Sequence, residues 1–91
     1  MSNAGKLWMG LVAQLPCAIC GAHQVQVHHI REGAGLSQRS QDTLTIPLCL
    51  LHHTGADGIH GLGRKGFYMR HKCDELDLLA ATIERIAKDM Q

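Results

Sequence analysis

Four cysteines and seven histidines stand among the 91 residues, and their spacing points to metal chemistry. Two residues separate Cys17 from Cys20, and two separate Cys49 from His52. A spacer of that length lets two side chains of one turn reach the same ion, and zinc takes four soft or borderline ligands in a tetrahedron. The two pairs are distant in sequence, so a shared ion would staple the segment between them and stand in for core that a short chain lacks. His23, just past Cys20, is a rival for the fourth position. The plainer alternative makes Cys17 and Cys20 small buried hydrophobes. Cys73 lies outside the pattern and reads as a free, buried thiol.

Setting that group aside leaves His28, His29, His53 and His60. Adjacent residues of a strand point to opposite faces. One of His28 and His29 can therefore meet an ion while the other faces a water. A strand histidine, a histidine on the following helix and a third slightly beyond could share one divalent ion. The matching chemistry is metal-assisted hydrolysis: a cation polarises a phosphoryl oxygen, and a neutral histidine takes the proton of the attacking water. The alternative is that these histidines are satisfied polar residues in turns.

The elements that must position these groups are short. A chain of this length makes one domain, here read as residues 5–91, α+β in class. Ser2, Asn3 and Ala4 look like an expression scar and are left out of the fold reading with Met1. Apolar residues Leu7, Trp8, Leu11, Val12 and Leu15 recur at helical spacing, and Pro16 is expected to end that helix. Residues 24–30 and 43–48 read as two strands, with Pro47 marking an edge or a strand end. Between them, Arg31 to Gln41 carries Gly33, Gly35, Ser37 and Ser40 and reads as a loop. Cys49 to His53 opens a short helix or turn, and Gly55, Gly58, Gly61, Gly63 and Gly66 predict an irregular stretch. Asp74 to Met90 is the clearest helix, with Asp74 as N-cap, Asp77 adding charge to its first turn, and a stripe of Leu76, Leu79, Ile83, Ile86 and Met90.

No apolar run reaches transmembrane length and no signal-peptide pattern opens the chain, so the expected compartment is the reducing cytosol, where paired cysteines bind metal more often than they form disulfides. That argues against a disulfide-stapled secreted domain. The net charge of +1 argues against a protein that coats DNA non-specifically. Positive charge is uneven, however. Arg64, Lys65, Arg70, His71 and Lys72 lie close in sequence, and Arg31 and Arg39 follow the first histidine pair, so a local basic surface can still meet phosphates.

Taken together, the Cys17/Cys20 pair, Val27-His28-His29-Ile30 and Thr45-Ile46-Pro47-Leu48-Cys49 followed by His52-His53 resemble the zinc-containing branch of the HNH (ββα-metal) nucleases. The run from His28 to Gly33, with Ile46 to Cys49, Gly58 to Gly61 and Cys73 to Leu79, looks like the RecA-dependent, recombination-enhancing nucleases of phages and prophages. The resemblance spans roughly residues 16–83. It implies a zinc-stapled HNH domain with flanking N- and C-terminal helices that hydrolyses the phosphodiester bonds of DNA. It also implies that His28 and His53 ligate a catalytic divalent ion, Mg2+ or another, that His60 completes that shell, and that His29 is the general base. Cys17, Cys20, Cys49 and His52 would hold structural zinc, with His52 where many members carry a cysteine. The middle asparagine of the motif is absent, since Asn3 is the single asparagine; Asp42 is the best substitute, which would hold the His29 imidazole, and the alternative is that Asp42 is a turn residue starting the second strand. A long basic arm is not among these residues, so a RecA filament on DNA would be the partner supplying affinity, in the cytoplasm of a bacterial host. The rival from another class is a non-catalytic zinc-binding module contacting DNA or protein, which needs one metal and has no use for His28, His53 or His60.

Overall fold

A mostly polar strand with one buried histidine pairs with an apolar, fully buried one at the centre of the molecule. The computed structural model describes residues 3–31 and 41–90, arranged as α1 (Asn3–Val12), β1 (Gln26–His29), β2 (Thr45–Leu48), α2 (Leu50–His53), α3 (Ile59–His71) and α4 (Glu75–Asp89). The strands are antiparallel, with Gln26 opposite Leu48, His28 opposite Ile46 and His29 opposite Thr45. The architecture is α+β, a two-stranded sheet with helices about it. Both strands are edges, which is why Pro47 is tolerated inside β2. Its carbonyl accepts from the Ala18 N–H, tying the Cys17 turn to the sheet. The loop expected between the strands, with Gly33, Gly35, Ser37, Arg39 and Ser40, and the Glu32-Gly33 part of the motif lie outside the described residues.

Ile30, Ile46, Leu48 and Phe67 are fully buried and pack with Cys17, Cys49, Ile59, Leu78 and Leu79 into one core. Val12, Leu15 and Ile86 form a second, smaller cluster under Trp8 and Val27. Burying a Leu, Ile or Phe side chain contributes about 1.5–3 kcal/mol. A core this small leaves room for a metal staple to matter.

Three elements differ from their sequence-based expectations. Helix α1 starts at Asn3, so Asn3 and Ala4 belong to it, and it ends at Val12 instead of running to Leu15. Residues 13–15 continue as a turn, and Leu7 and Leu11 face outward while Val12 and Leu15 are buried. The glycine-rich stretch is not irregular throughout, because α3 begins within it. Gly58 caps that helix, and a Cβ there would collide with the His53 carbonyl, so glycine lets α3 abut the end of α2. Gly63, at φ 75° and ψ 168°, breaks α3 into two helical pieces. Each helical glycine costs about 1 kcal/mol against alanine, offset here by burial of Ile59 and Phe67.

Helix α4 is capped as its sequence predicts. The Asp74 carboxylate accepts from the Asp77 N–H at 2.8 Å, and Asp77 accepts from the Asp74 N–H at 2.9 Å. Its buried face, however, is Glu75, Leu78, Leu79, Thr82 and Ile86. Leu76, Ile83 and Met90 of the expected stripe are exposed. The inward face is rotated because its first position is taken by a charged residue, Glu75, which no hydrophobic pattern would select.

Candidate metal centres

The turn after Pro16 and the start of α2 bring the first four ligand candidates together. One donor atom from each of Cys17, Cys20, Cys49 and His52 lies within 4.8 Å of all the others. The Sγ atoms of Cys20 and Cys49 are 3.7 Å apart, and His52 Nδ1 stands 3.2 Å from Cys49 Sγ and 3.8 Å from Cys17 Sγ. Two thiolates at tetrahedral angles around one zinc stand about 3.8 Å apart, and a thiolate and an imidazole nitrogen about 3.6 Å. The donor set and the spacing therefore fit a metal ion such as zinc. His23 is exposed and takes no part. Cys73 is a free, half-buried thiol that packs against the core, and burial raises its pKa.

The turn favours thiolate at Cys17. Burial alone would raise that thiol, but N–H groups of Cys49, Cys20 and Ile19 bring it below its usual value, and Ile19 N–H stands 3.4 Å from the sulfur. Burial raises Cys49, as do the neighbouring thiols of Cys20 and Cys17, against a lowering backbone hydrogen bond. Burial, with the charges of His71 and Arg70, lowers the His52 pKa and so favours the neutral ring that a metal ligand needs. Asp57 faces the far side of that ring, its Oδ2 4.0 Å from His52 Nε2. Arg70 grips Asp57 through two hydrogen bonds of 3.0 and 3.3 Å, and His71 Nε2 donates to the Asp57 carbonyl at 2.8 Å. The basic run expected to meet phosphates is thus divided. Arg70 and His71 are turned toward Asp57, behind the cysteine cluster.

A second cluster lies one residue further along α2. Donor atoms of His28, His53 and His60 also lie within 4.8 Å of one another. His28 Nδ1 and His53 Nε2 are 3.1 Å apart, and the His60 ring stands 5.2 Å from His28 and 4.8 Å from His53, centre to centre. Two nitrogens on one zinc at tetrahedral angles stand about 3.3 Å apart. Three imidazoles suit a borderline transition ion better than Mg2+, which demands oxygen ligands. Burial and the neighbouring His28 and His60 push His53 down to about 4, so its ring is neutral at pH 7.

His28 is buried and His29, next along β1, is about a third exposed, as strand alternation requires. His29 Nε2 donates to Asp42 Oδ1 at 3.0 Å. Asp42 sits in the turn into β2, where its carbonyl accepts from the Thr45 hydroxyl. His28, His29, Arg31, His60, Arg64 and Glu75 line one open cleft of about 280 Å3. Sequence reasoning missed three side chains of this neighbourhood. Glu75 Oε2 is 2.6 Å from His28 Nε2, its Oε1 is 3.4 Å from Arg64 Nε, and Gln26 Oε1 is 2.6 Å from His53 Nδ1. Asp57, behind His52, is the third.

Over residues 2–83 the sequence matches a family described as proteins of unknown function, DUF968. The chain belongs to the DUF968 family. The match covers both candidate clusters, the His29–Asp42 pair and most of α4. No curated protein matches this DUF968 chain. Among its described residues no helix is long and apolar enough to cross a membrane.

Proposed function

We propose that this DUF968 protein is a metal-dependent endonuclease of the HNH (ββα-metal) type that hydrolyses DNA phosphodiester bonds. One observation carries the reading. A histidine held by a carboxylate, His29 with Asp42, opens onto the same cleft as a three-histidine cluster able to hold a divalent ion, and Arg31 and Arg64 line that cleft too.

Each residue then has a role. Cys17, Cys20, Cys49 and His52 would hold structural zinc, and His28, His53 and His60 a second divalent ion. That second ion, when bound, supplies positive charge beside the phosphate under attack. Asp42 takes the N–H of His29 Nε2, which leaves the lone pair of Nδ1 free to remove a proton from the attacking water. Asp42 thereby fills the place of the motif's missing asparagine, orienting the base without touching the phosphate. Arg31 and Arg64 bring positive charge to the substrate's anionic backbone. A RecA filament on DNA is the partner in this reading, and the bacterial cytoplasm its compartment.

The test is cleavage of plasmid and displacement-loop DNA with Mn2+, Co2+ or Mg2+, with and without RecA. Nicking or cutting is expected with at least one of these ions. His29→Ala should lower it about 10²–10⁴-fold, the usual contribution of general base catalysis, with metal content unchanged. Intact DNA under all these conditions, from protein holding both metals, would overturn the reading. The rival, a non-catalytic zinc module, predicts one bound metal per chain.

A further inference from the structure

We infer that Gln26 and Glu75 are positioning residues for a metal ion at the three-histidine cluster, each fixing one ring so that a lone pair faces the shared site. The inference rests on reading His28, His53 and His60 as one ion site.

A neutral imidazole carries one N–H and one lone pair, and the partner of the first nitrogen decides which way the second faces. Glu75 Oε2, 2.6 Å from His28 Nε2, accepts a hydrogen bond as a carboxylate oxygen and has no hydrogen of its own to give. It therefore draws the His28 proton onto Nε2 and leaves the lone pair on Nδ1. Gln26 Oε1, 2.6 Å from His53 Nδ1, likewise takes the proton there and leaves the lone pair on Nε2. These two freed nitrogens, His28 Nδ1 and His53 Nε2, are the pair that stand 3.1 Å apart. Two independent acceptors thus select the two nitrogens that converge.

Structural economy alone does not explain either acceptor. Glu75 is 7% exposed, and a buried carboxylate is costly unless paired. A hydrophobic residue in the first turn of α4 would fill that place at no such cost. Gln26 is exposed and has no core role to perform. It shares a strand face with His28, two residues on, which is the one face from which β1 can reach the histidine on α2. The acceptors also differ in charge. Glu75 sets a carboxylate against His28, whereas Gln26 sets a neutral amide against His53.

The test titrates Co2+ into the full chain with zinc already in the cysteine site, reading visible absorption bands and affinity. Wild-type protein should bind one further Co2+ with a spectrum free of thiolate charge transfer. Gln26→Leu removes the acceptor and should weaken this binding about 10–100-fold, the usual effect of losing a residue that orients a ligand. Gln26→Glu restores an acceptor and adds charge, and should bind Co2+ at least as tightly as wild type. Glu75→Ala should weaken binding by a similar factor and alter the spectrum. Should Glu75→Ala not fold, the exposed Gln26 pair decides the matter. Equal affinity in Gln26→Leu, Gln26→Glu and wild type would overturn the inference. If no Co2+ binds beyond the zinc site, both this inference and the nuclease reading fall. If Co2+ binds and responds to Gln26 but DNA stays intact, the nuclease reading falls alone.

Discussion

His53 shows how a site histidine writes itself into stability. Its ordinary value of 6.5 drops to about 4 in the fold, through burial and then through His28 and His60. The unfolded chain takes this proton near 6.5 and the folded chain only near 4, so acid favours unfolding. His52 is lowered as well, and its effect has the same sign. The contribution of His53 is present above pH 6.5 and is lost as pH falls toward 4. Denaturant midpoints of the metal-free protein should therefore fall between pH 7 and pH 4, and His53→Asn should flatten the slope. A midpoint that rises over this interval would contradict the burial of these rings. At this scale the candidate site residues were readable in sequence because several come as close pairs: Cys17 with Cys20, Cys49 with His52, His28 with His29. Gln26, Asp57 and Glu75 were not readable. Glu75 acts on a histidine 47 positions away and Gln26 on one 27 positions away, and only the fold makes them neighbours. Asp42 was found because a motif left a place for it, not because its own spacing announced it.

Among the elements, α4 was legible in extent and cap but not in orientation. Its periodicity admitted two faces differing by about one residue, and the apolar count favoured the one containing Leu76, Ile83 and Met90. Tertiary packing chose the other, which carries Glu75 to His28 and buries Leu78 and Thr82. Thermal or denaturant unfolding can separate the two phases. Leu78→Ala should cost about 2–5 kcal/mol, as buried leucines do, and Leu76→Ala, at 46% exposed, about 0.5 kcal/mol or less. The reverse order would restore the first phase. Helix α3 was missed for a related reason. Glycine lowers helix propensity wherever it stands, and nothing local reveals that Gly58 is needed for the approach to His53 or that Gly63 turns the chain beside Arg64.

For the whole molecule, the balance between core and metal matters most. Its principal core includes two of the candidate ligands themselves, Cys17 and Cys49. Removing an ion from that cluster would leave weak sulfur hydrogen bonds, such as those with His52 Nδ1 and the Ile19 N–H, in place of metal bonds, and would loosen the turn, the sheet and α2 together. Chelation with a strong zinc ligand should lower the midpoint of the unfolding transition and weaken the ordered near-ultraviolet signal, because metal binding free energy adds to folding free energy. Re-addition of Zn2+ should restore both. A sharp transition of unchanged midpoint after complete zinc removal would show that the hydrophobic core suffices alone. The α+β class was anticipated because length and pattern restrict a chain this short to few arrangements.

Helix α2 has only four residues, yet its last two, His52 and His53, serve different clusters. One peptide link joins those two residues, and consecutive Cα atoms are held about 3.8 Å apart whatever else moves. The gap between ions held at the two candidate sites would therefore be bounded by one peptide link and two imidazole side chains. Lengthening it takes an inserted residue, and that residue would swing every later side chain of the helix about 100° around its axis. Paramagnetic ions placed in both clusters would report one fixed dipolar coupling, unaltered by substitutions elsewhere in the protein.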